Sequence, residues 1–193
     1  MASRFITLLF FVVAFLPFSF ARALDANALA VRAPPVFTFK FTGVVNAPSN
    51  QAEIPASQTC NSRAGANTYA KTAVIDAVKQ GARYKQSGQV ATKGKYPHVF
   101  ANTPGVDTVT FETGCNANAD VFEFPILNTG ALLSGGPSVK TNVGTDRVLF
   151  QMSFDSANNE VDTVYCGTIT HSSQNTVKDP KTGKPLQPFS NCS

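Results

Sequence analysis

Four side chains in this sequence have the chemical types needed to move protons around a bound anion. Glu123 sits in "DVFEFPIL", His98 in "KYPHVF", Arg147 in "TDRVLF" and His171 in "GTITHS", and the chain has no histidine besides these two. A carboxylate can take a proton, an imidazole can give one near neutral pH, and a guanidinium can meet charge that gathers on a substrate. Two histidines and a glutamate are also the ligands of a catalytic zinc or a facial-triad iron. The short ligand spacings of such sites are missing here and a nearby arginine opposes a cation, so proton transfer is the better reading and no metal or other cofactor is expected. Taken singly, each histidine reads as a strand-end surface residue, and Arg147 could simply pair with Asp146. The set acquires meaning only if the fold gathers it.

Glu123 shows what the fold has to achieve. In an extended segment Phe122, Phe124 and Ile126 share one face, while Val121, Glu123, Pro125 and Leu127 share the other. The carboxylate therefore points away from the most apolar surface. Either that second face is plain solvent, or it is a cleft whose surroundings raise the carboxyl pKa.

The elements able to carry these residues are mostly strands. "DTVTFET", "DVFEFPIL", "DRVLFQMSF" and "VDTVYCGTITH" follow one another, separated by turns such as "SGGPS" and "SANN". One helix precedes them: Ala70, Val74, Ala77 and Val78 form an apolar stripe at helical spacing, with Asn67 placed to cap the start and Gly81 to end it. Successive strands behind a single helix predict an α+β domain, with the helix packed on an antiparallel sheet. Internal repeats are absent.

The 193-residue length suits one domain. Arg4, the apolar run Phe5 to Leu16 and the small-x-small triplet Ala21-Arg22-Ala23 read as a secretory signal peptide over residues 1–23, too short before Pro17 for a membrane span. The mature protein is expected to be secreted, soluble and free of membrane. Residues 24–57, rich in Ala, Pro and Asn, read as a linker or propeptide; within it "VFTFKFT" alternates strictly and offers one extra strand. The domain proper is assigned to residues 58–193. Loss of the leader removes Arg4 and Arg22 but no acid, and the formal charge falls from +4 to +2. That balance permits a polyanionic partner but is far from the bulk charge that marks nucleic-acid binding by electrostatics alone. Cys60, Cys115, Cys166 and Cys192 are expected to pair in a secreted chain, in any of three connectivities.

"YPHVF", "FEFPIL", "SGGPS", "TDRVLF", "CGTITHS" and the terminal "PFSNC" occur in an order that resembles the small secreted fungal ribonucleases preferring guanine or purines, whose relatives include the sarcin-type ribotoxins. The resemblance covers Cys60 to Ser193. It implies a single α-helix packed on a curved antiparallel β-sheet, disulfide-bonded, which agrees with the pattern reading. It also implies that Glu123 is the general base and His171 the general acid, with Tyr96, His98, Arg147 and Phe189 around the reacting phosphate. By the family pattern Cys115 joins Cys166 and Cys60 joins Cys192. The implied activity is metal-independent cleavage of single-stranded RNA through a 2′,3′-cyclic phosphate, by a protein expected to act as a monomer.

Two departures from the family bear on what is recognised. The loop after "YPH" carries a base-gripping glutamate in guanine-preferring members, and by ungapped count that position is Pro104. Phe100, Asn102 and Thr103 remain as base-binding candidates, and Asp107 could supply the missing carboxylate if the loop bulges. The connection Ser172 to Pro188 is longer than usual and carries Lys178, Lys181 and Lys184; it reads as a solvated loop or as an added rim for phosphates. The changed base loop leaves open a catalytically silent binding module or effector. The low charge and the short loop before Glu123 weigh against a ribosome-targeting toxin.

Overall fold

The computed structural model describes residues 43–193 apart from 104–105, 134, 137, 139–141, 172–175 and 180–181. The expected leader, the "VFTFKFT" segment, Pro104 and Lys181 lie outside the described residues. In chain order the elements are β1 (Val44–Val45), β2 (Ser57–Ser62), β3 (Gly65–Ala70), α1 (Lys71–Gln86), β4 (His98–Val99), β5 (Phe122–Pro125), β6 (Asp146–Asp155), β7 (Glu160–His171), β8 (Val177–Lys178), β9 (Pro185–Leu186) and β10 (Phe189–Asn191).

Among the described residues the main sheet has six strands in the order β1-β7-β6-β5-β4, with β10 also on β7. The pairs β4·β5, β5·β6, β6·β7 and β7·β10 are antiparallel. The edge pair β1·β7 is parallel, with Val44 opposite Glu160. Part of the segment read as a linker is thus built into the sheet. Two strands share the outer edge of β7: β1 takes its start and β10 its end, where Phe189 lies opposite His171.

The helix is longer than the sequence pattern predicts. Val74, Ala77, Val78, Ala82 and Tyr84 are buried along its inner side. Gly81, expected to end it, lies in mid-helix, at a position where a Cβ would sit 2.7 Å from the Phe150 ring. The missing side chain is a packing requirement that outweighs the helix-propensity cost of about 1 kcal/mol. The end comes after Gln86, where the Ser87 N–H donates to the Arg83 carbonyl at 3.0 Å and Gly88 adopts φ +66°. Asn67 is not the cap. It belongs to β3 and donates to Asp146 Oδ2 at 2.7 Å, while Ala70 stands at the N-cap with no side-chain hydrogen bond.

Two further expectations change. "DTVTFET" forms no strand; Thr108 makes a single bridge to Ser190, and Thr110 is held by the Asn191 side chain. The β2·β3 hairpin was not expected, because its inward residues include Gln58 and Ser62, which carry no apolar alternation. Gln58 is buried nonetheless, donating to the Tyr165 hydroxyl at 2.7 Å.

The main core lies between α1 and one sheet face and includes Phe122, Phe124, Ile126, Val148, Phe150 and Tyr165. A second, smaller cluster on the opposite face holds Phe100, Val121, Leu149, Cys166 and Ile169, with Phe189 against it. The ladder shifts register between Leu149 and Phe150, so that Phe150 opposes Tyr165 while Leu149 opposes Gly167. Cys166 is the extra residue, turned into the second cluster, where it is bonded to Cys115. Cys60 is bonded to Cys192, closing β2 against the chain end. Both bridges have the connectivity that the resemblance implies.

Candidate active site

Register places the candidate residues. His98 opposes Glu123, Pro125 opposes Arg147, Arg147 opposes Ile169 and His171 opposes Phe189. Directly opposed residues project to the same face, and so do residues two apart on one strand. His98, Glu123, Arg147, His171 and Phe189 therefore all stand on the face away from α1.

Glu123 is 7% exposed, with Oε1 3.1 Å from His98 Nδ1. Burial pushes its carboxyl pKa up; His98 and Arg147 pull the other way without cancelling the shift, and Asp107 adds to the rise. Arg147 is buried beside it. Its Nη1 donates to the carbonyls of Val143, Gly144 and Asp146, at 3.3, 3.1 and 2.8 Å, and its Nη2 donates to the Tyr96 hydroxyl at 3.0 Å. The guanidinium also lies 5.1 Å from the Tyr96 ring centre, and Tyr96 stacks on His98 at 4.7 Å. Among the described residues, Glu123 Oε2 and Arg147 Nε have no hydrogen-bond partner. Arg147 does not pair with the neighbouring carboxylate. Asp146 projects to the other face, accepting from Tyr69 and Asn67 at 2.7 Å and from Thr145 and Thr170 at 2.9 and 2.6 Å. Burial and that carboxylate raise the Tyr69 phenol pKa.

His171 is fixed from two sides. Phe189 stacks on its ring with centres 3.9 Å apart, and Nδ1 lies 3.1 Å from the Gln187 carbonyl. A carbonyl only accepts, so Nδ1 carries the hydrogen and Nε2 is the nitrogen left to exchange a proton. Burial lowers the His171 pKa, against the raising effect of the Gln187 bond.

A cleft of about 490 Å³ is lined among others by His98, Phe100, Thr103, Asp107, Glu123, His171 and Phe189; Arg147 and Tyr96 lie outside its lining. Asn102 is not part of the lining. Phe100, expected to stack on a base, is 7% exposed and meets Phe189 edge-on at 5.6 Å, so it acts first as packing. Asp107 has both carboxylate oxygens engaged: Oδ2 accepts from the Thr103 N–H at 2.7 Å and Oδ1 from the Phe189 N–H at 2.8 Å. It latches the loop after β4 to the strand that carries Phe189.

Sequence reasoning missed two contributors. Gln187 acts through its backbone carbonyl, for which a side chain gives no signal. Gly94 lies under Tyr96, where a Cβ would come within 2.6 Å of the ring; the glycine two residues before a tyrosine was the available clue. The described residues hold no cluster of three or more histidine, cysteine or acidic groups suited to a metal.

Among the described residues, one helix packs on a largely antiparallel sheet whose other face carries a buried carboxyl and a stacked imidazole lining one cleft, with a buried guanidinium on the same face; such a set can do acid–base chemistry on an anion. The chain belongs to the ribonuclease family, whose family model matches residues 57–179. It is 32% identical over 93 residues to guanyl-specific ribonuclease N1 of Neurospora crassa, an alignment covering 48% of this chain and 53% of that protein. Guanyl-specific ribonuclease T1 of Aspergillus oryzae is 29% identical over 114 residues, covering 59% of this chain and 72% of the relative. For guanyl-specific ribonuclease Ap1 of Aspergillus pallidus the identity is 29% over 112 residues, or 58% and 88% of the two chains. The chain thus spans about half the length of the Neurospora relative. Among the described residues no helix is long and apolar enough to cross a membrane.

Proposed function

We propose that this protein is a secreted, monomeric endoribonuclease that cuts single-stranded RNA after purines, by transfer of the phosphoryl group to the adjacent 2′-hydroxyl. The observation that carries the reading is the pairing of opposites in one cleft: a buried carboxyl with its pKa raised and a half-buried imidazole with its pKa lowered. Glu123 takes the 2′-hydroxyl proton, and the 2′-oxygen attacks phosphorus. The bond to the 5′-oxygen breaks, and that oxygen receives the proton held on His171 Nε2. The products are a 2′,3′-cyclic phosphate and a free 5′-hydroxyl. Arg147 and His98 meet the charge on the phosphoryl oxygens, and Tyr96 holds Arg147 in place. DNA lacks the nucleophile.

The preference for purines draws on the relatives, each named guanyl-specific. Asp107 serves the loop's geometry in this reading, not the base. Secretion follows from the leader at residues 1–23 and suits a chain with two disulfides.

The reaction needs Glu123 ionised and His171 protonated, so its rate against pH is a bell. The raised Glu123 pKa moves the acidic limb above the ordinary glutamate range, and the lowered His171 pKa moves the basic limb below that of free histidine. A narrow optimum on the acidic side of neutrality is expected when kcat/KM is measured on a purine dinucleoside phosphate with chelator present. A rate that keeps rising through neutral pH, or one that the chelator abolishes, rules the assignment out.

A further inference from the structure

Of the described residues between His171 and Phe189, Pro185, Leu186 and Gln187 are built against the site without a side-chain part in the proposed proton transfers. β8 and β9 form an antiparallel hairpin, with Val177 opposite Leu186 and Lys178 opposite Pro185. Asp179 ties its far end: its N–H donates to the Lys184 carbonyl at 2.8 Å, its carbonyl accepts from the Gly183 N–H at 2.8 Å, and its Oδ2 accepts from the Thr182 hydroxyl at 2.6 Å. The returning strand runs into the cleft, which Pro185, Leu186 and Gln187 line. Gln187 is the residue whose carbonyl fixes His171. Lys184 immediately precedes the first of these lining residues and Lys178 is the register partner of that residue; both lysines are exposed.

The chemistry fixes which part of an RNA strand meets this arm. In an in-line displacement the entering and leaving oxygens lie on opposite sides of phosphorus. The general acid stands at the leaving 5′-oxygen, so the leaving nucleotide, and every nucleotide 3′ of it, continues past His171 and away from Glu123. The hairpin root is anchored at His171. We propose that the β8–β9 hairpin is an RNA-binding arm for the strand 3′ of the scissile bond, in which Lys178 and Lys184 contact downstream phosphates. This deepens the proposed ribonuclease reading and rests on it. A lysine–phosphate contact carries no base information, so the arm adds length dependence without adding sequence preference.

The test uses the double variant Lys178→Ala/Lys184→Ala and three substrates, each with one cleavable purine ribonucleotide. They are a dinucleoside phosphate, a strand extended only on the 3′ side and a strand extended only on the 5′ side, with 2′-deoxy nucleotides elsewhere. For the unaltered protein, kcat/KM is expected to be highest on the 3′-extended strand. The variant is expected to lose about 3- to 10-fold on that substrate alone, and its salt dependence there to flatten by about 0.7 in log–log slope per lost phosphate contact. An equal loss on all three substrates, or none on the 3′-extended one, overturns the arm. Binding of the same strands with a 2′-deoxy nucleotide at the cleavage position separates this inference from the activity. If the unaltered protein cuts no RNA, the ribonuclease reading falls and the arm with it; if it cuts RNA but the variant binds the 3′-extended strand as tightly as the unaltered protein, the arm alone falls.

Discussion

The two faces of β5 and β6 are buried to similar extents and do opposite things with that burial. On the helix side Phe124, Val148 and Phe150 are completely covered. Removing such side chains from water stabilises the fold by roughly 1.5 to 3 kcal/mol each. On the cleft side Glu123 and Arg147 are 7% and 4% exposed, yet Glu123 Oε2 and Arg147 Nε have no partner among the described residues. Burying polar groups without full compensation costs stability, on the order of 1 to 3 kcal/mol for each unsatisfied group. Low exposure is therefore not one physical quantity. Beneath the helix it is the source of stability, and on the opposite face it is spent on a carboxyl that holds its proton to higher pH and a guanidinium with a free edge.

The comparison breaks most sharply at the proton-transfer residues. Glu123→Gln and His171→Gln are each expected to lower kcat by about 10² to 10⁴ while KM changes little, since acid and base act in the transition state. Thermal unfolding should leave Glu123→Gln no less stable than the parent, because a neutral amide is cheaper to bury than a carboxylate. A variant that melts early and keeps its turnover would place Glu123 with the core residues instead.

Gly81→Ala probes the other face. The added Cβ meets the Phe150 ring at 2.7 Å. Overpacking of this kind costs about 1 to 3 kcal/mol, against about 1 kcal/mol regained from helix propensity. Denaturant unfolding is expected to show a net loss, with kcat per folded molecule unchanged. A gain in stability would mean that the helix and sheet faces are less tightly coupled than the contact implies.

The smallest expected effect belongs to Asp107→Asn, at the margin of the cleft. An amide can accept from one backbone N–H but opposes the other, so the tie between Thr103 and Phe189 loosens. Turnover should fall by up to about tenfold, equal to 1.4 kcal/mol, and by the same factor on guanine and adenine dinucleoside phosphates. A fall confined to guanine would instead make Asp107 the reader of the base.

Much of this was legible in the chain. The alternation in "DVFEFPIL" and "DRVLFQMSF" located two central strands and assigned Glu123 to the face opposite Phe122 and Phe124, because a strand's period of two follows from backbone geometry alone. The helix stripe was legible at Val74, Ala77 and Val78, though Ala70, read as its first member, is an exposed residue at the end of β3; the set of residue types able to transfer protons was equally plain. The β2·β3 hairpin was hidden because its inward positions are filled partly by polar groups, and these are tolerated only where a distant residue such as Tyr165 meets them. "DTVTFET" has a strand's composition and forms no ladder, since its neighbour β10 holds it through one bridge and the Asn191 side chain.

What the sequence determined by itself was local: the periods of helix and strand, the chemical inventory, and through family likeness the roles to look for. Tertiary structure decided whatever depends on partners far apart in the chain. Gly81 reads as a helix stop until Phe150 is seen against it. Asp107 reads as a spare carboxylate until the amides of Thr103 and Phe189 occupy it. His171 gains its fixed ring only because Gln187 returns a carbonyl to it and Phe189 stacks on it. A side chain's type is written at one position. Its burial, and hence its pKa and its freedom to react, is a sum over neighbours that only the folded chain brings together.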